Sequence, residues 1–189
     1  VEEAIGYAER FGLDEILAPR ALEALRPVRK EPGETLVRAG DEAEALFFLV
    51  EGMVKAYSRL ENGRSVLAAF YEPFDVLGEL ELFSYERYVL SVEAMAASVF
   101  LKLPYSALGQ TPDGNGRFYA FLCGRLGSKL ANRVIAESIN LRYPVENRLA
   151  SYLLAATDAR GRIVGGEDLE ELADFIGSSY RQLARVLRD

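Results

Sequence analysis

Apolar positions change their spacing twice along this chain. Over the first 25 residues they recur at helical intervals. This predicts short amphipathic helices from Glu3 to Phe11 and from Asp14 to Leu25, with Asp14 as a cap and Pro19 as a place where the second helix breaks early. From Val28 to Tyr105 the pattern shortens to β-rich runs at 35–37, 45–50, 54–60, 65–71, 89–94 and 99–103. Turn signals separate them at Pro32-Gly33, Gly40-Asp41, Glu51-Gly52 and Asn62-Gly63. Asn-Gly between two such runs is a hairpin signal, because both residues tolerate positive φ. Short strands at regular spacing imply an antiparallel barrel or sandwich. Spacing alone leaves open whether it holds a ligand or serves as an interaction scaffold.

The period then lengthens again. Pro112 to Gly116 reads as a loop, and a long helix follows from Gly116 or Arg117 to about Leu141. Leu122, Leu126, Leu130 and Val134 form one stripe, and Ala131, Ile135 and Ile139 form a second beside it. Two stripes predict a helix covered on two sides, one by the barrel and one by a second copy; a core helix of a monomer is the alternative. Gly124, Gly127 and Ser128 are small enough for close helix approach. Tyr143-Pro144 ends the helix, since the residue before proline is pushed out of the α region. Val145, Leu149, Tyr152 and Leu153 share one face of a further helix, and Asp158 to Gly166 is a polar connector.

The last segment carries the sharpest local signal. Leu169, Leu172, Ala173 and Ile176 make an apolar stripe, and acids fill the first turn, where they suit the helix dipole. Gly177 follows as a left-handed stop, and Ser178 or Ser179 can cap a second helix. In that helix Leu183 and Leu187 share one face, while Arg181, Arg185 and Arg188, at i, i+4 and i+7, share another. Helix, glycine turn and basic helix is a helix-turn-helix pattern; a helical hairpin with a solvated arginine face is the bland alternative.

Composition narrows the function. The net charge of −7 argues against a non-specific nucleic-acid coat. Its distribution differs by region: residues 178–189 hold three Arg against one Asp. Phosphate binding follows the local field, so an acidic total does not veto it. There is no His and one Cys. That removes the usual metal ligand, the usual general base, an internal disulfide and a four-Cys cluster within this chain. Cys123 reads as a packed core residue. No apolar run approaches the roughly 20 residues of a membrane span, and the cytoplasm is the expected location. No enzymatic activity is expected. The chain starts at Val1 rather than Met, so a trimmed N-terminus is expected, and no wing follows the second helix, so a longer natural C-terminus is expected.

The order of parts resembles the CRP/FNR family of bacterial transcription regulators over nearly the whole chain. The most specific residues are Gly33-Glu34, Gly40-Asp41, Phe48-Leu49-Val50-Glu51-Gly52, Gly78-Glu79-Leu80-Glu81-Leu82-Phe83 and Leu172-Ala173-Asp174-Phe175-Ile176-Gly177. The run Pro144 to Ala150, with Ser179 to Leu183, looks most like a YeiL-type branch. The resemblance implies an α+β fold: an antiparallel β-barrel of the double-stranded β-helix, cyclic-nucleotide-binding type, a long dimerisation helix, and a winged-helix-like helix-turn-helix without its wing. The implied domains are an effector-sensing barrel with N-terminal helices over 1–115, the dimerisation helix over 116–142 and the DNA-binding part over 143–189.

The resemblance also implies sites. In the cyclic-nucleotide binders a short helix opening with Gly-Glu-Leu, and an Arg followed by Ser or Thr, cradle the phosphate. Gly78, Glu79 and Leu80 match the first half. Arg87 is followed by Tyr88 and Val89, so the hydroxyl is missing, and family register puts Tyr88 at the phosphate position. Gly78, Glu79, Leu80, Arg87 and Tyr88 are the candidate effector residues, with a tight turn as the alternative for Gly78-Glu79. No cofactor is expected, and the effector is expected not to be cAMP. Leu122, Leu126, Leu130 and Val134 are the implied homodimer seam. Tyr180, Arg181 and Arg185 are candidates for base edges, and Ser179, Gln182 and Arg188 for phosphates, on a two-fold symmetric DNA site. RNA polymerase joins the candidate partners; no membrane partner is expected. The rival readings are a ligand-binding module of the same fold without DNA binding, and an enzyme on a cupin-like barrel, disfavoured by the absent His.

Overall fold

The computed structural model describes residues 2–59, 65–108, 116–157, 161, 163 and 169–188, and of 136–142 the backbone alone. The Asn62-Gly63 turn, most of the Pro112–Gly116 loop, most of the Asp158–Gly166 connector and the side chain of Ile139 lie outside the described residues. Two N-terminal helices, α1 (Glu2–Arg10) and α2 (Pro19–Ala24), precede eight strands. The predicted start of α2 at Asp14 is corrected: the helix begins at Pro19. Ala18 before it is extended at φ −63°, ψ 151°. Proline presets its own φ for a first helical turn and excludes the α region from the residue before it.

The strands are β1 (Arg26–Lys30), β2 (Thr35–Val37), β3 (Ala45–Glu51), β4 (Val54–Arg59), β5 (Ser65–Tyr71), β6 (Asp75–Leu77), β7 (Ser91–Ala94) and β8 (Ser98–Pro104). They form two four-stranded antiparallel sheets, ordered β1-β8-β3-β6 and β2-β7-β4-β5. The result is the double-sheet roll of a double-stranded β-helix rather than one closed ring. β1 and β6 were not predicted. Each is an edge strand, and β1 carries one apolar residue besides Pro27, which an edge tolerates because it needs no ladder donor there.

Strand β3 shows why the core has two layers. All of Ala45 to Val50 are buried. Ala45, Phe47 and Leu49 face the inside of the roll with Val54, Ala56, Leu77, Tyr88, Val92 and Phe100. Leu46, Phe48 and Val50 face outward under Ala4, Ala8, Leu13, Ala21, Leu25, Phe118 and Leu122. Alternation at period two thus reads as a continuous apolar run, because helices cover the second face.

After a 3₁₀ turn at Tyr105–Ala107 comes α4 (Gly116–Arg142), then α5 (Val145–Ala155), α6 (Leu169–Phe175) and α7 (Tyr180–Val186). Leu149, Tyr152, Leu172, Ala173, Ile176 and Leu183 make a third core together with Leu67 of β5. Phe70 of β5 closes a triangle of rings with Tyr152 and Phe175, at centroid separations of 5.7 to 5.9 Å. The predicted apolar faces hold except at their ends: Leu169 and Leu187 are exposed. Cys123 is exposed too, which corrects its assignment to the core; its neighbour Leu122 takes the buried position on the helix.

Gly52, between β3 and β4, has φ +92°, and a Cβ there would lie 2.6 Å from the Ala97 carbonyl oxygen. Gly52→Ala is therefore expected to lose about 2–3 kcal/mol, read as a lower urea midpoint. Gly6 lies inside α1 with nothing within 4 Å of an added Cβ. Gly6→Ala is expected to gain about 0.5–1 kcal/mol in the same measurement.

Candidate functional site

A cavity opens on the inner side of the roll beneath α3 (Glu79–Ser84). Its volume is about 50 Å³, and its walls include Gly78, Glu79, Leu80, Glu81, Tyr88, Tyr71 and Lys129. Four of the five candidate effector residues are thus brought together. Gly78 starts the helix at φ +90°, and a Cβ there would meet the Ala45 carbonyl oxygen at 2.6 Å. The Tyr105 hydroxyl donates to the Gly78 carbonyl at 2.7 Å, and the Tyr88 hydroxyl donates to the Ala45 carbonyl at 3.1 Å. The turn is therefore fixed from both sides, and the aromatic at position 88 fills space inside the roll.

Arg87 is the exception and a correction. Its guanidinium is outside the cavity, exposed, and donates to the Gly40 carbonyl at 2.7 Å. Adjacent residues at an extended segment point to opposite sides, so placing Tyr88 inward turns Arg87 outward. The Val89 N–H, one residue further on, donates to the Glu81 carboxylate at 2.9 Å. Glu79 and Glu81 are both buried.

Lys129, from α4, was missed. Its ammonium donates to Glu79 Oε1 and to the Val76 carbonyl, each at 2.5 Å, and lies 4.3 Å from the centre of the Tyr71 ring. It is the middle of three cations spaced four apart on one face of α4. Arg125 pairs with Asp75, and Arg133 donates to the Ala68 carbonyl at 3.0 Å. The i, i+4, i+8 spacing of Arg125, Lys129 and Arg133 was visible in the sequence and marks the barrel-facing side.

The proposed seam divides along α4. Phe118 and Leu122 are fully buried in their own chain's core, so Leu122 is corrected: it is not available to a second copy. Leu126 is half-buried. Every residue from Leu130 to Ile135 is exposed, with Leu130 at 67 % and Val134 at 55 %. Gly124 and Gly127 have nothing within 4 Å of an added Cβ, so a side chain there would point into open space.

At the other end, Ser179 caps α7. Its hydroxyl accepts from the Gln182 N–H at 3.3 Å, and the Gln182 side chain accepts from the Ser179 N–H. Gly177 turns the chain at φ +65°. Arg148 of α5 donates to the Ile176 and Gly177 carbonyls, fixing the corner between α6 and α7; nothing in the sequence spacing had marked it. Leu183 is fully buried, while Ser179, Tyr180, Arg181, Gln182, Arg185 and Arg188 are all exposed. The Arg188 Nε donates to the Ala184 carbonyl at 3.2 Å. The six candidate contact residues thus lie together on and around one short, capped helix.

The described chain is thus a double-sheet roll with a glycine-started helix over its cavity, followed by a long helix and a capped helix-turn-helix. Residues 27–113 match the cyclic nucleotide-binding domain family. The chain is homologous to transcription regulators of the CRP/FNR type. It is 28% identical to the regulatory protein YeiL of Escherichia coli O157:H7, over 80% of this chain and 68% of that one. It is also 28% identical to a CRP-like cAMP-activated global transcriptional regulator of Mycobacterium tuberculosis, over 95% of this chain and 85% of that one. A CRP-family transcriptional regulator of Thermus thermophilus superposes with a TM-score of 0.66 at 25% identity, covering 86% of this chain and 83% of that one.

The cavity also sets a pH limit. Burial, then the negative charges of Glu79, Asp75 and Glu81, push the Tyr71 hydroxyl up to about 12. Burial also raises Tyr88 and Tyr105. The unfolded chain ionises its tyrosines near 10 and so holds fewer protons than the folded chain above that pH. Stability from Tyr71 is fully present below about pH 10 and is lost as pH rises toward 12. Urea midpoints are expected to fall across that window, and more shallowly in Tyr71→Phe.

Proposed function

We propose that this chain is a cytoplasmic, sequence-specific DNA-binding regulator that acts as a homodimer and responds to a small effector other than cAMP. One observation carries the reading. Helix α7 buries Leu183, is capped by Ser179, and presents Tyr180, Arg181 and Arg185 together to solvent. An arginine in that position can fork onto guanine O6 and N7. Ser179, Gln182 and Arg188 stand at the edges of the same face, where phosphates would lie. The exposed stretch of α4 from Leu130 to Ile135 supports a seam running through Leu130 and Val134. A two-fold assembly would then set two α7 helices one DNA turn apart, about 34 Å. RNA polymerase remains a candidate partner of the DNA-bound dimer.

The effector reading follows from the cavity. A volume of about 50 Å³ is far below the ~300 Å³ of a ligand pocket, and Arg87 is turned away from it. Neither feature suits an anionic nucleotide.

Selection from random DNA with the full chain is expected to enrich a two-fold symmetric sequence. Absence of any enrichment would leave a ligand-binding module of the same fold. Arg181→Ala is expected to cost about 1–3 kcal/mol in binding and to relax preference at one base position; unchanged preference at every position removes its assigned role.

Leu130→Glu is expected to split the dimer in sedimentation while leaving the far-ultraviolet spectrum intact, because the substituted side chain is exposed within one chain. A variant that stays dimeric moves the seam elsewhere.

A further inference from the structure

The cavity under α3 already has an occupant. Lys129 enters it from α4 as a tethered ammonium, held by a buried carboxylate, a backbone carbonyl and an aromatic face. Glu79 is 3% exposed, and Lys129 is the cation paired with it. The Glu79 carboxylate, the Val76 carbonyl and the Tyr71 ring surround that ammonium at the cavity wall and make a recognition set for such a group, since each attracts positive charge and the ring adds its face.

An anion finds nothing comparable there. Among the described residues, Lys129 is the one basic side chain in the wall, and two buried carboxylates face it. The Val89 N–H is already given to Glu81, and the Arg87 guanidinium is given to Gly40 on the outside. The remaining 50 Å³ has room for a few waters at ~10–15 Å³ each.

We propose that this pocket is an ammonium site, that Lys129 fills it as a built-in ligand, and that the effector is a small organic amine displacing the Lys129 ammonium from Glu79. The proposal rests on reading the cavity as the effector site. Displacement releases the middle one of the three cationic ties along α4, next to the exposed Leu130. Occupancy of the roll is thereby linked to the exposed stretch of α4 from Leu130 to Ile135.

The test uses thermal melts of the full chain without DNA. Lys129→Ala removes the tethered ammonium and leaves a hole the shape of its side chain. Its midpoint is expected to fall by about 5–10 °C. Millimolar n-propylammonium, which supplies the missing atoms, is expected to raise it again by several degrees, as any ligand selective for the folded state does. n-Propanol, propionate and cAMP are expected not to. Adding Glu79→Gln is expected to abolish the rescue. Equal rescue by propionate or propanol, or none by the amine, overturns the ammonium site. If the alanine variant does not fold, Lys129→Met keeps the stem beneath Tyr71, and the ammonium ion becomes the probe with the same outcomes. On the unaltered protein, saturating n-propylammonium is expected to speed hydrogen exchange in α4; unchanged exchange overturns displacement while leaving the site. DNA selection is scored separately, so failure of the amine experiment is distinguishable from failure of the regulator reading.

Discussion

The structure turns on how α4 is divided. Its first half is committed to the sheets by Phe118 and Leu122 in the core and by Arg125, Lys129 and Arg133 reaching Asp75, Glu79 and the Ala68 carbonyl. From Leu130 to Ile135 every residue is exposed, although Arg133 still reaches back to the sheet. The inner anchor is the Lys129–Glu79 pair, since Glu79 sits on the short helix that lids the cavity. Removing one member of a buried pair strands the other charge, at a cost of about 3–5 kcal/mol. The pair thus ties the short helix to the long one.

A second junction lies at β5. Leu67 and Phe70 project from the sheet into the core of the helix-turn-helix, where Phe70 meets Tyr152 and Phe175. Each ring pair adds about 0.5–1.5 kcal/mol beyond its area. Strand β5 is also the strand whose Ala68 carbonyl receives Arg133. One edge strand thus contacts the long helix through its backbone and the output helices through its side chains. The solvent face of α7 stays uncovered in this arrangement, so docking on the sheet and presentation of the arginines are compatible.

The cavity is shaped by one glycine turn and by which of two adjacent side chains faces inward. The glycine-started helix is retained at Gly78, held between Ala45 and Tyr105. With Tyr88 inside and Arg87 outside, the same lid encloses carboxylates and a lysine in place of a guanidinium.

The element order, the strand runs, the glycine turns at 33, 40, 52, 78 and 177, the proline break and the Ser179 cap were all legible in the sequence, because each rests on local dihedral preference or on spacing within one element. Edge strands β1 and β6 were not, since a strand with few apolar residues is held by its neighbour's ladder. Leu122 and Leu130 belong to one stripe and look alike on paper, yet one is buried in its own chain and the other is exposed. Arg87 and Tyr88 exchange places inside and outside for the same reason: only the packed sheets decide which side of a segment is the interior. Lys129 and Glu79 are 50 residues apart in sequence, and Arg148 reaches carbonyls 28 and 29 residues on. Charge pairing across such distances follows from how layers are stacked, which no local pattern encodes.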